Sequence, residues 1–410
     1  GMGDTIFGPL YLVLKARGVK FEFFSRVDNL GLTPDGNSVA TISIGQQVTL
    51  KTGEYDPLVP VNDLLCWPSE PRYDQLVQGE ALKKSGEDLE DWWTAWPDAG
   101  TRVLKAGVDF DRVVLGCSVG VFPYIAKELI AASQPLADMV AALGTTQTQA
   151  AQLWMSTDLA GLGWTLPSPV LDGYAEPMDT WADMTHLLVR EQWPPGSVKN
   201  LAYLCSPLPD DGPLPPRSEH GYAQKQDARV KADAISWLTN SAKGIWPSWD
   251  WSLLVGSDAQ GPARFDSQYW LATLNPSDRY VLALPNSVFK RLGADGAGFD
   301  NLLMAGDYLK TGMNVGCVEA ATMGGMHASR LICGRPDVIV GDDPSEHEEI
   351  VVNKGEPDYI ARGGDLAMSP PLELKGATMY SFLVDANKDA LSRMIDAQLN
   401  AVTSPNGVIY

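Results

Sequence analysis

The chain has 410 residues, 45% of them hydrophobic and 20% charged, with 39 Gly, 29 Pro and a formal net charge of −20. That length allows two or three domains with their own cores, and the composition is neither disordered nor fibrous. The acidic balance argues against nucleic acid as a partner and leaves two readings, a solvated acidic surface or a cationic substrate. No apolar run approaches about 18 residues, so no membrane-spanning helix is expected. No signal peptide is read before Gly1. Cys66, Cys117, Cys205, Cys317 and Cys333 lie far apart without CxxC or Cys/His spacing. That pattern gives neither a disulfide framework nor a metal site, and it fits a reducing cytoplasm.

From the amino end, Ile6, Leu10, Val13 and Leu14 recur at helical spacing, and Gly18 stops a helix predicted over 5–16. A strand is expected over 19–24, followed by Val27, Leu30 and Leu32. Pro34 to Asn37 form a turn, and Val39, Thr41, Ile42 and Ile44 supply a second strand. An irregular stretch over 45–102 carries Trp67, Trp92, Trp93 and Trp96, whose simplest role is to staple loops onto a core. Arg112 to Gly116 is a strand, with a helix following over about 123–132. Cys117 reads as a small packing residue, since no charged partner is near in sequence.

The stretch 134–278 is the richest in Trp and Pro. Helices are expected around 139–143 and over 227–239, the second with Val230, Ala234, Ile235 and Leu238 on one face. His186 stands alone, which is usually a hydrogen-bonded structural residue rather than a catalytic one.

The most informative stretch is 301–334, NLLMAGDYLKTGMNVGCVEAATMGGMHASRLICG. Leu302 to Ala305 form the continuous apolar run of a strand buried on both faces, and Gly306-Asp307 ends it. A carboxylate thus sits where open α/β sheets bind ligands. A helix is expected from Val315 to Ile332, with Asn314 as N-cap and Gly334 as its stop. Gly316, Ala320, Gly324 and Ala328 recur every fourth residue, so one face is nearly bare. Free N–H groups at Val315 to Cys317 would favour an electron-rich ligand. A β-α unit packed tightly on a sheet explains the same small residues.

The string AGDYLKTGMNVGCVEAATMGG resembles the C-terminal flavin-binding motif of the FAD-dependent amine oxidase and phytoene desaturase superfamily. By that resemblance Gly306-Asp307 closes on the ribityl chain, Asp307 accepting a ribityl hydroxyl. Met313, Asn314 and Val315 would lie against the pyrimidine edge of the flavin. The opening GM-initiated helix, and the strand ending at Val27, also resemble the superfamily; Val27 is the position whose backbone meets the adenine. The run DRVVLG (111–116) resembles its return strand. A β-α-β unit with GxGxxG begins such proteins, yet no GxGxxG occurs here: Gly161-Leu162-Gly163 lacks the third Gly, and Gly293 to Gly298 has the wrong order.

The resemblance implies an α/β fold: an incomplete FAD-binding, Rossmann-like domain with an α+β substrate domain and a C-terminal extension. Its pieces are 1–130, with an inserted loop region over 45–102, and 279–335 for the FAD domain. The substrate domain is 131–278, where aromatic walls would shape a cavity. After Pro336, an acidic linker leads to a strand over 377–384 and a helix over 388–399. That tail faintly resembles the start of an acetoacetate-decarboxylase-like domain. The implied function is oxidation of a C–N or C–C bond of a small organic substrate by hydride transfer to FAD. A second polypeptide carrying GxGxxG would complete the enzyme. The alternative is a non-catalytic binding or scaffold subunit. No catalytic residue is assignable.

Overall fold

The computed structural model describes residues 3–342 except 63 and 285, together with 361–362, 365–366 and Arg393. The chain divides into Gly1–Glu348 and Glu349–Tyr410. In the second unit Ala361–Arg362 pairs antiparallel with Asp365–Leu366. The strand expected over 377–384, the helix over 388–399 and most of the acidic linker lie outside the described residues.

In the first unit, helix α1 (Gly8–Ala16) continues a turn begun at Gly3 and ends before Gly18, whose φ of 88° only glycine adopts easily. Strand β1 (Ser25–Leu32) pairs with β2 (Val39–Gln46), and β2 with β3 (Gly100–Lys105), in an antiparallel meander. The stretch 45–102 is therefore not all loop: its last strand belongs to this sheet. A bulge between Val27 and Asn29 frees Asp28, which accepts from Arg26 Nε at 2.7 Å; Arg26 also pairs with Asp98 at 2.6 Å.

The strand expected over 19–24 does not form. Its Phe residues pack on aromatic neighbours, Phe21 against Tyr11 at 4.7 Å and Phe23 against Tyr55 at 5.3 Å. Among the described residues, however, no neighbouring strand pairs with its backbone. An extended segment becomes a strand only with a partner.

Strand β4 (Val113–Leu115) pairs in parallel with β11 (Leu302–Met304), Val113 opposite Leu302 and Leu115 opposite Met304. The Asn301 side chain locks this pair to the meander: its Oδ1 accepts from Val39 N at 2.8 Å and its Nδ2 donates to Val39 O at 2.9 Å. Helices α2 (Lys127–Ala132) and α3 (Gln134–Ala142) follow β4. Leu30, Val39, Leu115, Phe122, Leu129, Leu136 and Met304 share one core with them.

The second core lies under an antiparallel sheet of six strands. Its central pair is β5 (Thr145–Met155) and β8 (Asn200–Leu208), in register from Gln147 opposite Leu208 to Met155 opposite Asn200. Strands β7 (Thr180–Asp183) and β6 (Val170–Leu171) extend one side, and β9 (Tyr269–Thr273) and β10 (Tyr280–Val281) pair with β5. Helix α4 (Tyr222–Asn240) covers the inner face with Val230, Ala234, Trp237 and Leu238, all buried. Trp181, Trp237 and Trp246 stack edge to face at 5.1 and 5.5 Å, and none is more than 1% exposed. These tryptophans fill the core itself; they do not wall a cavity.

Candidate functional site

The candidate site is built at the carboxyl end of the parallel pair. Strand β11 ends in Ala305 and Gly306, and Tyr308 turns back so that its hydroxyl donates to Leu115 O at 3.0 Å. Tyr308 is buried against Phe122, centroids 5.4 Å apart. Asp307 lies between, half-buried, and no side chain among the described residues donates to its carboxylate. Burial pushes that carboxyl above its ordinary value, an effect partly offset by the Arg291 guanidinium.

Arg291 is 3% exposed. Its Nη1 donates to the carbonyl oxygens of Asp307 and Leu309, and its Nε and Nη2 find no partner among the described residues. Burial pushes its own pKa down, and Asp307 opposes that. The guanidinium therefore anchors the turn around Asp307. Sequence pattern alone did not reveal it, because a lone Arg in VFKRL looks like a surface residue.

Helix α5 (Val318–Cys333) starts later than expected. Its N-cap is Cys317, whose Sγ accepts from Ala320 N at 3.3 Å. Asn314, expected as the cap, has a φ of 49° and folds back inside the loop: its Oδ1 accepts from Thr311 N at 3.1 Å and its N donates to Thr311 Oγ1 at 3.2 Å. Met313, Asn314 and Val315 therefore form a loop ahead of the helix, with Met313 and Val315 exposed. The N–H groups of 315–317 are not the first turn of the helix.

The bare helix face is spent on protein. A Cβ at Gly324 would stand 2.6 Å from Gly306 O, and one at Gly316 would stand 2.8 Å from Val281 O and 2.9 Å from the Tyr280 ring. Nothing lies within 4 Å of Gly325. Gly324 thus lets α5 press onto the Gly306 turn, Gly316 lets the loop ahead of it press onto β10, and the hydroxyl of Tyr280 donates to Gly316 O. The tightly packed β-α unit is the reading that the structure supports for this face.

Val27 stands apart from these residues. It lines a cavity of about 610 Å³ whose walls are Phe24, Leu30 and Ile42 of the meander side and Val114 to Cys117 of β4. Glu90, Asp91, Trp92, Asn275 and Asp278 form its rim. Cys117 is pushed up to about 11 by burial, which makes it a packing thiol rather than a nucleophile. Glu90 is raised by burial and by Asp88 and Asp278. Of the six expected site residues, Val27 thus lines this cavity, Gly306 and Asp307 follow β11, and Met313, Asn314 and Val315 lie on the loop ahead of α5. His186 is exposed on a short 3-10 turn, Thr185–Arg190. No group of three His, Cys, Asp or Glu among the described residues could hold a metal ion. No helix among them is long and apolar enough to cross a membrane.

No protein-family model and no curated protein matches this sequence. Among solved structures the chain is similar to an oxidoreductase from Methanosarcina mazei, with 14% identity and a TM-score of 0.39. The likeness covers 78% of this chain and 52% of the other, so the chain spans about half the length of that protein.

Proposed function

We propose that this chain is part of a flavin-dependent oxidoreductase that oxidises a C–N or C–C bond of a small organic molecule. A polypeptide unit carrying GxGxxG would complete it. The observation that supports this most is Asp307: a half-buried carboxylate, with no side-chain donor among the described residues, closing a parallel strand. Such a group has acceptor capacity to offer a ligand hydroxyl.

The residues present fit FAD in three respects. Asp307 would accept from a ribityl hydroxyl, and Arg291 would hold its turn in place. Met313 to Val315 would lie along the flavin edge, on a loop whose shape is fixed by Thr311 and Asn314. Val27 and the cavity it lines would take the adenine end. The cofactor, when bound, supplies the hydride acceptor. The chain supplies binding, orientation and exclusion of water. The net charge of −20 suits a cationic substrate.

Titration of FAD into the completed protein, followed by flavin fluorescence, tests the reading. Asp307→Ala should weaken binding by about tenfold to a hundredfold, the loss of one charge-assisted hydrogen bond of about 1.5–3 kcal/mol. Unchanged affinity would contradict it.

A further inference from the structure

A second cavity, of about 650 Å³, lies between α1 and the loop over 49–55. It shares Glu22, Phe24 and Ser25 with the wall of the first and is otherwise lined by different residues. Its apolar part is a set of rings that hold one another. Tyr55 is 8% exposed, its hydroxyl accepts from Arg72 N at 2.8 Å, and Phe23 and Phe24 meet its ring edge to face at 5.3 and 4.8 Å. Tyr11, also buried, meets Phe21 at 4.7 Å. Phe24 turns the chain with a φ of 55°, a conformation that bulky residues rarely hold, and its carbonyl is fixed by Gln47 N at 2.9 Å. The volume is that of a small-molecule site, and its aromatic walls are preformed.

The polar groups around these rings are weighted toward donors. Three cations line the cavity, Lys15, Lys20 and Arg102, against two carboxylates, Glu22 and Glu54, in a chain with 31 Lys and Arg against 51 Asp and Glu. Both carboxylates already have a cation: Arg102 pairs with Glu22, and Lys15 with Glu54 at 3.7 Å. Lys20 has no partner among the described residues, and neither have the backbone N–H groups of Lys20 to Phe23. Unspent donors and a surplus cation are satisfied by an acceptor that carries negative charge. The Lys15–Glu54 pair, which ties α1 to the loop, is solvent-exposed, and such pairs contribute little, so it yields to an entering ligand at small cost.

We infer that this cavity binds a small aromatic acid, a planar organic anion of one or two fused rings. The ring lies among Tyr11, Phe21, Phe23 and Tyr55, and the carboxylate meets Lys20 and the N–H groups of the 20–23 segment. An organic cation finds no such place, because both carboxylates that could receive it are paired. The inference is independent of the flavin reading, which uses Asp307 and the other cavity.

The test uses the full chain and fluorine NMR with a fluorinated naphthoate, the corresponding neutral amide and the corresponding naphthylmethylammonium. The naphthoate should bind about tenfold or more tightly than either, the difference expected of one charge-assisted contact. Lys20→Glu, at an exposed position, should weaken naphthoate binding about tenfold or more and change that of the amide by less than about twofold, with the melting temperature of the wild type retained. In the wild type, saturating naphthoate should slow hydrogen exchange at Lys20 to Phe23 by about threefold or more. Val114→Trp, in the wall of the other cavity, and Asp307→Ala should leave naphthoate affinity unchanged. Tighter binding of the amide or the ammonium, undiminished affinity in Lys20→Glu, or unchanged exchange at 20–23 would each overturn the inference. Loss of binding in Val114→Trp would overturn it too, by placing the ligand in the other cavity. Naphthoate bound in this manner by a chain that takes no FAD keeps this site and removes the flavin reading. FAD bound with no naphthoate does the reverse.

Discussion

The six-stranded sheet and the parallel pair bury their apolar residues to different extents. Under the sheet, Trp181, Trp237, Trp246 and Leu204 are each at most 1% exposed, and α4 packs into the same core. Around β4 and β11, by contrast, Val114, Met313, Val315 and Val318 are exposed, and the segment over 20–23 has no strand beside it. Both regions use similar residue types, so hydrophobicity alone does not separate them. What separates them is how far the described residues cover the strands: α4 packs on the six-stranded sheet, while Val114 of β4 is 47% exposed. The cavity of about 610 Å³ borders the second region.

The largest expected effect lies in the closed region. Trp246→Ala should cost about 3–5 kcal/mol in a denaturant titration, because a fully buried ring leaves a cavity that the sheet and α4 fill only in part. Trp246→Phe should cost much less, since the indole Nε1 is buried without a partner and Phe removes it. A loss under about 1 kcal/mol for the Ala variant would mean that the core is as open as the other region.

Within the open region the Gly306 turn is the exception, and two adjacent glycines sharpen the contrast. Gly324→Ala places a methyl 2.6 Å from a backbone oxygen and should destabilise by about 1–3 kcal/mol. Gly325→Ala meets nothing and should stabilise by up to about 1 kcal/mol through helix propensity. Equal effects in thermal melts would mean that the helix is not pressed onto that turn.

The smallest effect concerns Asp307. Its carboxyl is raised in the folded chain, so the folded state holds the proton more tightly than the unfolded one. Stability from this group is therefore lost as pH rises from its ordinary value, near 4, through its raised one. Asp307→Asn should be the more stable protein at neutral pH, and the two should converge below about pH 4 in melts without ligand. A wild type more stable than Asp307→Asn at neutral pH would mean that Asp307 is paired in the fold.

The sequence makes the parallel pair legible, because VVL and LLM are continuous apolar runs and Gly306-Asp307 and Gly116 end them. The amphipathic α4 is legible for the same kind of reason. Strand β5 is not: its inward residues include Gln147 and Gln149, whose Nε2 groups donate inside to Asp210 and Tyr222 and to Ser206 and Pro207, so the alternation of apolar and polar residues is hidden. The start of α5 is misread because Asn314, a good cap by type, is taken by Thr311 while a cysteine does the capping. The segment over 19–24 has the composition of a strand, and whether it becomes one depends on a neighbour that its own residues do not encode. The place of Asp307 at the end of a strand is legible from the sequence; Arg291, which holds its turn, is not.

The most direct test of the account is a visible absorbance spectrum of the chain purified from its native source, with a gel of whatever accompanies it. The account predicts flavin bands together with a second polypeptide that carries GxGxxG. A single colourless chain that stays colourless when FAD is added would contradict it, leaving the fold and removing the enzymatic reading.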